Sequence, residues 1–191
     1  MTATLLHPAA TERACEISAR EVEWLNFYRV SELHGGLVLG QLVPRARDPE
    51  LVLALTRHAA EEVEHSRLWA ETILGVGGRI RPVRRSYQRG YAELLGAPST
   101  MLEVLALTQV FERRVFRHFT LHLRRPGTHP TVRATLRRML DEERDHLGWV
   151  RRWLDARPDQ AAVRAVLRRF AEADARVYES FLDFYEWRAA A

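Results

Sequence analysis

Two short segments of this chain repeat the same acid–base pair: "EEVEH" ends at His65, and "EERDH" ends at His146. In each segment a glutamate, Glu62 or Glu143, precedes the histidine by three positions. Residues three apart lie on one face of a helix, so each pair presents a carboxylate and an imidazole on the same side. Both groups are ligands of divalent transition metals. Because the pair occurs twice, 81 positions apart and on mostly apolar helical stripes, we interpret it as metal-binding.

Two further acids extend the repeat. Glu32 and Glu112 lie 80 positions apart, each on the helical stripe that precedes one of the pairs. In an antiparallel helical hairpin, residues equally far from the turn lie at the same level. Glu32 and Glu62 are equidistant from the first turn, as are Glu112 and Glu143 from the second, each roughly 20 Å from its turn at a rise of 1.5 Å per residue. We therefore expect all four acids to share one layer.

The charge of such a layer indicates what it binds. Four carboxylates buried together cannot all remain ionised unless positive charge joins them. Two divalent cations balance four negative charges, and two neutral imidazoles complete the coordination. The sequence therefore predicts a dinuclear metal site whose ligands, and catalytic residues, are Glu32, Glu62, His65, Glu112, Glu143 and His146.

The elements that must position these residues are all helical, because no segment alternates apolar and polar residues as a strand does. Five helices are predicted, at about residues 18–43, 49–74, 100–125, 131–156 and 159–187. Short turns join the first four into two hairpins, and a connection of about 25 residues links the hairpins. We expect one all-α domain over 1–191: an N-terminal tail (1–17), an antiparallel four-helix bundle with one long crossover (18–156) and an additional C-terminal helix (159–187).

On these six residues and this connectivity, the chain resembles the ferritin-like di-iron carboxylate superfamily. Its length and spacing are most similar to the rubrerythrin, aldehyde-deformylating oxygenase and tRNA-hydroxylase end of that group. The resemblance covers about residues 18–156 and implies a ferritin-like fold that binds two iron ions, with manganese or a mixed manganese–iron pair as alternatives. It also implies O2 or peroxide as a reactant and an external electron donor.

The branches of the superfamily differ in details that this sequence shows. Ferritins usually carry one Glu-x-x-His rather than two. Rubrerythrins carry an additional glutamate one turn after the third-helix ligand, where this chain has Val115, and the single Cys15 excludes a rubredoxin module. We therefore expect a di-iron oxidoreductase that uses O2 on a small or lipid-like organic substrate. The alternative is a rubrerythrin-like peroxidase or an iron-handling ferroxidase without organic substrate, and a weaker alternative is a tRNA-modifying hydroxylase.

Residues beside the six ligands each have more than one interpretation. Gly35 and Gly36 lie one turn beyond the first-helix acid, where they leave a substrate cavity or permit close helix packing. Tyr28 either serves the site, by a hydrogen bond or as a radical, or is a core aromatic. His58 is a partner of a ligand, an extra ligand or a satisfied core histidine. Acids that suit the second nitrogen of each ligand histidine, or equally a solvated face, are Glu61, Glu64, Asp141 and Asp145.

Composition and charge limit the remaining classes of function and location. The net charge is +4, and every basic residue is arginine. We read the basic segment Arg79–Arg89 as a solvated connection and do not expect nucleic-acid binding. No stretch reaches about 18 apolar residues, so we expect no membrane span. Without a recognisable secretory signal we expect a cytoplasmic protein. The apolar stripe of the fifth helix covers the side of the bundle or pairs with a second copy in a homodimer.

Overall fold

The computed structural model of the chain describes residues 16–83 and 86–181. Within these ranges the chain forms six α-helices and no β-strand, which confirms the all-α prediction. The helices are α1 (Ala19–Gly40), α2 (Pro49–Gly75), α3 (Tyr87–Leu95), α4 (Met101–Arg124), α5 (Pro130–Asp155) and α6 (Gln160–Glu179). The first 15 residues of the predicted tail, and the predicted fifth helix from residue 182 onwards, lie outside the described residues.

Side-chain caps fix where the long helices begin. The Oγ of Ser18 accepts a hydrogen bond from the backbone N–H of Glu21 at the start of α1. Asp48 caps α2 in the same way, with Pro49 at the first helical position. Thr100 and Glu103 form a reciprocal capping box at α4. Each cap satisfies backbone donors that a helix start otherwise leaves without partners.

Four long helices form two hairpins, because α1 packs along α2 and α4 packs along α5. A single helical turn at Val43–Arg45 separates α1 from α2, and Gly127 adopts a left-handed backbone (φ 82°) in the turn before α5. The hairpins meet where α2 packs against α5. This contact brings together the two helices that carry the Glu-x-x-His pairs.

Apolar residues fill the bundle on both sides of a polar middle. One cluster contains Trp24, Trp69 and Phe119, and the other contains Leu55 and Leu105. On α1, α2 and α5, one cluster uses residues that precede the predicted acid and the other uses residues that follow it; α4 follows the same division except for Phe111, which adjoins its acid. The acid layer therefore lies between two water-excluding blocks of side chains.

The crossover between the hairpins contains a helix that the sequence does not predict. This helix, α3, packs against α6 and α1, and its Tyr87 and Tyr91 hydroxyls donate to Asp174 of α6 at 3.2 and 2.6 Å. A Cβ at Gly90 would lie 2.8 Å from Val177 Cγ1, so the glycine is what allows α3 to approach α6. With nine residues, α3 is too short for its periodicity to be recognised.

The last helix covers the bundle rather than standing free. Val163, Phe170 and Val177 of α6 are buried within the chain itself, where α6 packs on α4 and α3. Of the two alternatives for the apolar stripe, the structure supports the covering role over this part of the helix. No described helix has a stretch of the length and hydropathy that crossing a lipid bilayer requires.

Candidate metal centre

The six predicted ligands meet in the middle of the bundle. Four helices supply them, and every one of the side chains is almost completely buried. The residues are Glu32 on α1, Glu62 and His65 on α2, Glu112 on α4, and Glu143 and His146 on α5. The layer expected from equal distances to the turns is therefore present in the tertiary structure.

Their potential ligand atoms fall into two groups, in each of which all atoms lie within 4.8 Å of one another. The carboxylate-rich group contains Glu32, Glu62, His65 and Glu143. The histidine-rich group contains His58, Glu62, Glu112 and His146. Each group has enough donors for one metal ion, and Glu62 belongs to both. Glu62 is therefore the residue that two bound ions would share, as a carboxylate does in dinuclear sites.

Each of the four glutamates has one oxygen without a hydrogen-bond partner among the described residues. These buried oxygens are Glu32 Oε2, Glu62 Oε2, Glu112 Oε2 and Glu143 Oε1. Buried polar atoms are normally paired, because an unpaired one costs about 1–3 kcal/mol. Four such oxygens in one layer are donors that could hold metal, so the residues present fit divalent cations.

Burial and neighbouring groups shift the pKa values of the side chains in this cluster. Burial raises the pKa of both Glu32 and Glu112 well above that of an exposed carboxyl. Burial alone would lower the pKa of the histidines, but the nearby carboxylate of Glu143, whose Oε1 lies 3.5 Å from His65 Nδ1, raises the pKa of His65 to about 9. Hydrogen bonding to Glu143 raises the pKa of His146 to about 12. Metal ions compete with protons for these groups, because ligands bind in their deprotonated forms.

The two ligand histidines are held by acids from the opposite hairpin. His65 Nε2 donates to Glu142 Oε2 at 2.8 Å, and His146 Nε2 donates to Glu61 Oε2 at 3.0 Å. The Nδ1 atoms face the acid layer, where that of His146 lies 3.1 Å from Glu62 Oε1. The arrangement orients each imidazole and leaves Nδ1 as the nitrogen that could bind a metal.

Only some of the suggested holding acids serve the histidines in this way. Glu61 does, whereas Glu64 and Asp141 pair with Arg67 and Arg144 on the surface. Sequence reasoning missed Glu142. The signal was available, because Glu142 precedes the second Glu-x-x-His by one position, as Glu61 precedes the first.

Tyr28 lies beside the centre, but its hydroxyl forms a hydrogen bond with a residue outside the two donor groups. Its hydroxyl donates to His122 Nδ1 at 3.3 Å, and His122 Nε2 donates to Glu21 Oε1 at 3.1 Å. The Tyr28 ring also packs against Trp69, with the ring centroids 5.3 Å apart. This chain of contacts explains why the Glu21 side chain does not return to the Ser18 backbone to complete a capping box.

Gly35 and Gly36 of α1 lie against α2 rather than beside empty space. A Cβ at Gly36 would lie 2.9 Å from both Ala59 O and Val63 Cγ2, so this glycine permits close helix packing. A Cβ at Gly35 would lie 3.2 Å from Glu62 Oε2, so this glycine leaves room for a ligand carboxylate.

Small apolar cavities flank the centre. One of about 20 Å³ is lined by Glu32, Tyr28 and Phe119 among others. A second of about 40 Å³ lies between Glu112 and Gly35, with largely apolar walls. On the opposite flank, a polar pocket of about 280 Å³ reaches the two histidines of the histidine-rich group.

No family model, curated protein or solved structure matches the chain. The site itself is therefore the basis for inferring a function. It consists of buried carboxylates with unpaired oxygens, imidazoles held in one orientation and apolar cavities beside them. Together these features suit metal binding in a dry environment, where reactive species are protected from water.

Proposed function

We propose that the protein is a di-iron carboxylate oxidoreductase of the ferritin-like kind, which uses O2 to oxidise a small or lipid-like organic compound. The observation that carries this proposal is the set of four unpaired carboxylate oxygens, one on each of four helices, arranged in two groups that share Glu62. Two ferrous ions bound there, or a manganese-containing pair, would supply electrons for the reduction of O2, and an external donor would restore them.

The chain's own residues would hold and adjust such a pair. Glu62 belongs to both donor groups and is the natural bridge. Glu32 and Glu112 each belong to one group, so they are suited to bind one ion each. A carboxylate binds through one oxygen or two, so these side chains can follow a change in metal charge without movement of the helices. During such a change in metal charge, Glu61 and Glu142 would keep the imidazoles of His146 and His65 aligned.

The surroundings of the site favour oxidative chemistry over simple hydrolysis. The aromatic side chains of Phe111 and Phe119 line the cavity beside Glu32, and Leu107 and Phe111 line the cavity beside Glu112. Apolar walls exclude water and favour a non-polar reactant such as O2 or an aliphatic chain. The cavity between Glu112 and Gly35 is the proposed location of O2 or of the reacting end of an organic substrate.

The volumes of these cavities support a second candidate function. A volume of about 20 Å³ holds a single molecule the size of water or O2, and about 40 Å³ holds little more. A protein that oxidises iron, or reduces peroxide, without an organic substrate would need no larger space. An iron-oxidising or peroxidase function is therefore the alternative that the geometry supports.

The proposed function is tested by loading the purified protein with Fe²⁺ without oxygen and then mixing it with O2. We expect about two iron ions per chain, by analogy with dinuclear carboxylate bundles. We also expect O2 consumption that is faster than with the same concentration of free Fe²⁺. Glu143→Gln serves as the comparison, because it alters one donor of the layer. Failure to bind iron, or O2 consumption no faster than that of free iron, would contradict the proposal.

A second assay separates the two candidates. Slender aliphatic aldehydes, acids and alcohols are added to the iron-loaded protein with a chemical reductant and O2, and products are identified by mass spectrometry. An oxidised organic product that requires O2 and the intact site supports the oxygenase. Oxidation of iron or consumption of peroxide, with every organic compound recovered unchanged, supports the alternative.

A further inference from the structure

We propose that His58 is a seventh metal ligand, so that the two metal positions of the centre differ in chemistry. This inference rests on the proposed dinuclear centre and assigns a residue beyond its six ligands. It makes one position a site of two imidazoles and two carboxylates, and the other a site of one imidazole and three carboxylates.

The position of the His58 side chain carries the inference. Its Nε2 lies 3.1 Å from Glu62 Oε1 and 3.5 Å from Glu112 Oε1, so it faces the same oxygens as a metal ion in the histidine-rich group would. The ring lies against that of His146, with the centroids 3.8 Å apart and the planes at 32°. His58 is 1% exposed, so water does not explain this orientation.

The repeat within the sequence shows that this histidine has no counterpart. The pairs Glu61–Glu62 and Glu142–Glu143 lie 81 positions apart, and the same spacing places Met139 opposite His58. Met139 is fully buried in an apolar cluster. The six predicted ligands occupy equivalent positions in the two hairpins. His58 is an additional potential ligand that only the first hairpin has.

An additional imidazole changes which metals a position prefers. Imidazole ligands suit Fe²⁺, Zn²⁺ and Cu²⁺, whereas carboxylates suit harder ions such as Mn²⁺. The histidine-rich group should therefore take the softer ion first, and the carboxylate-rich group should tolerate Mn²⁺. The polar pocket that reaches His58 and His146, lined also by Asp145 and Trp149, opens this position toward solvent and gives an entering ion a route.

The competing explanation is that His58 only donates a hydrogen bond to Glu62 or Glu112. One equivalent of Cu²⁺ distinguishes the two roles, because copper selects the position with more imidazoles. Pulsed electron paramagnetic resonance should then count two coordinated imidazoles in the wild-type protein and one in His58→Gln. His34→Gln is the matched control, since His34 is half-buried on α1 outside both groups, and it should retain two.

One coordinated imidazole in the wild-type protein, or two in His58→Gln, would overturn the inference. Thermal unfolding of the metal-free variants shows whether His58→Gln folds, and Met139→Leu gives a second buried reference on the equivalent turn. Binding of two irons by wild type together with a single copper-bound imidazole would refute the role of His58 and leave the proposed function standing. Absence of any stoichiometric metal binding would refute both.

A competition experiment measures whether His58 changes the metal preference of the centre. Protein exposed without oxygen to equal amounts of Fe²⁺ and Mn²⁺ should bind more iron than manganese, and His58→Gln should lose that preference. The ratio of the two metals in the washed protein is read by elemental analysis. Equal ratios in wild type and His58→Gln would contradict the proposed difference between the two positions.

Discussion

His65 on α2 donates from Nε2 to the carboxylate of Glu142 on α5, across 2.8 Å and 77 positions of sequence. The reciprocal contact joins His146 of α5 to Glu61 of α2 at 3.0 Å. Each hairpin thus holds the ligand histidine of the other. The imidazoles take their metal-binding orientation only when the two hairpins are docked, which couples assembly of the bundle to formation of the centre.

Replacement of Glu142 by glutamine should weaken metal binding without unfolding the protein. Glutamine keeps the size of the side chain but removes the charge that holds the His65 imidazole, and loss of such an outer contact typically lowers metal affinity about 10–100-fold. Competition with a metal chelator measures the change. Asp141→Asn on the neighbouring exposed position, where the acid pairs only with Arg144 among the described contacts, should bind metal as the wild type does. Equal affinities in both variants would contradict the holding role.

The shared position of Glu62 predicts an unequal effect of three ligand substitutions. Glu62→Gln should lower occupancy at both positions, because the residue belongs to both groups. Glu32→Gln and Glu112→Gln should each lower occupancy at one position and leave about one ion per chain. Elemental analysis after extensive dialysis gives the stoichiometry. Glu64→Gln, an exposed acid on the same helix, is the control that should retain the wild-type content.

Gly36→Leu should destabilise the protein by separating α1 from α2. A side chain there meets Ala59 O and Val63 Cγ2 at 2.9 Å, and overpacking of this kind costs about 1–3 kcal/mol. Urea unfolding of the metal-free protein measures the loss. Gly40→Ala, whose Cβ meets nothing within 4 Å, should leave stability unchanged or raise it by about 0.4–1 kcal/mol. A fully stable Gly36→Leu protein would show that the space beside α1 is larger than the structure indicates.

Asp174→Ala should destabilise the contacts of α3 and α6 while leaving the metal content intact. Asp174 accepts hydrogen bonds from Tyr87 and Tyr91 and pairs with Arg114, and removing one member of a buried ion pair costs about 3–5 kcal/mol. Tyr91→Phe removes one of these bonds and should cost less, about 1.5–3 kcal/mol for a bond to a charged group. Urea unfolding gives both values. Loss of bound metal in Asp174→Ala at temperatures where it is folded would contradict the independence of the two polar networks.

The contact between Glu103 and Arg169 predicts a pH dependence at the α4–α6 junction. Hydrogen bonding, first from Arg169 and then from Ser99, lowers the pKa of Glu103 from 4.5 to about 2. A lowered pKa stabilises the folded state above pH 4.5, and this contribution is lost as the pH falls toward 2. The stability difference between wild type and Glu103→Gln should therefore shrink as the pH is lowered from 5 to about 3. Unfolding curves at several pH values test this, and a constant difference would contradict it.

Much of the helical framework follows from local sequence. The caps at Ser18, Asp48 and Thr100 mark helix starts that the structure reproduces, because a side-chain cap acts within a few residues of itself. The short helix α3 was not predicted. Its two buried tyrosines are stabilised by Asp174, more than 80 positions away, and nothing local indicates that partner.

The candidate site also combines features that could be predicted from the sequence with features that could not. Regular spacing on helices already places Glu62 with His65, and Glu143 with His146, on one face each, so the ligand types were readable from the sequence. For the use of Glu142 across the bundle, the only signal was that its position in the repeat matches that of Glu61, because a surface acid and an acid that holds a histidine have the same local pattern. Gly36 is similar, since a glycine beside a cavity and a glycine beside a neighbouring helix cannot be told apart before the helices are packed.

The helical class, the two hairpins and the acids that interrupt their apolar stripes follow from the order of residues along the chain, because helical periodicity and capping are properties of neighbouring residues. How the hairpins dock is fixed only in the packed bundle. That docking brings His58 to Glu112, places Glu62 in both donor groups and exchanges the holding acids between α2 and α5. The physical reason is that a donor group is defined by distances between side chains on different helices, and packing rather than local sequence fixes those distances.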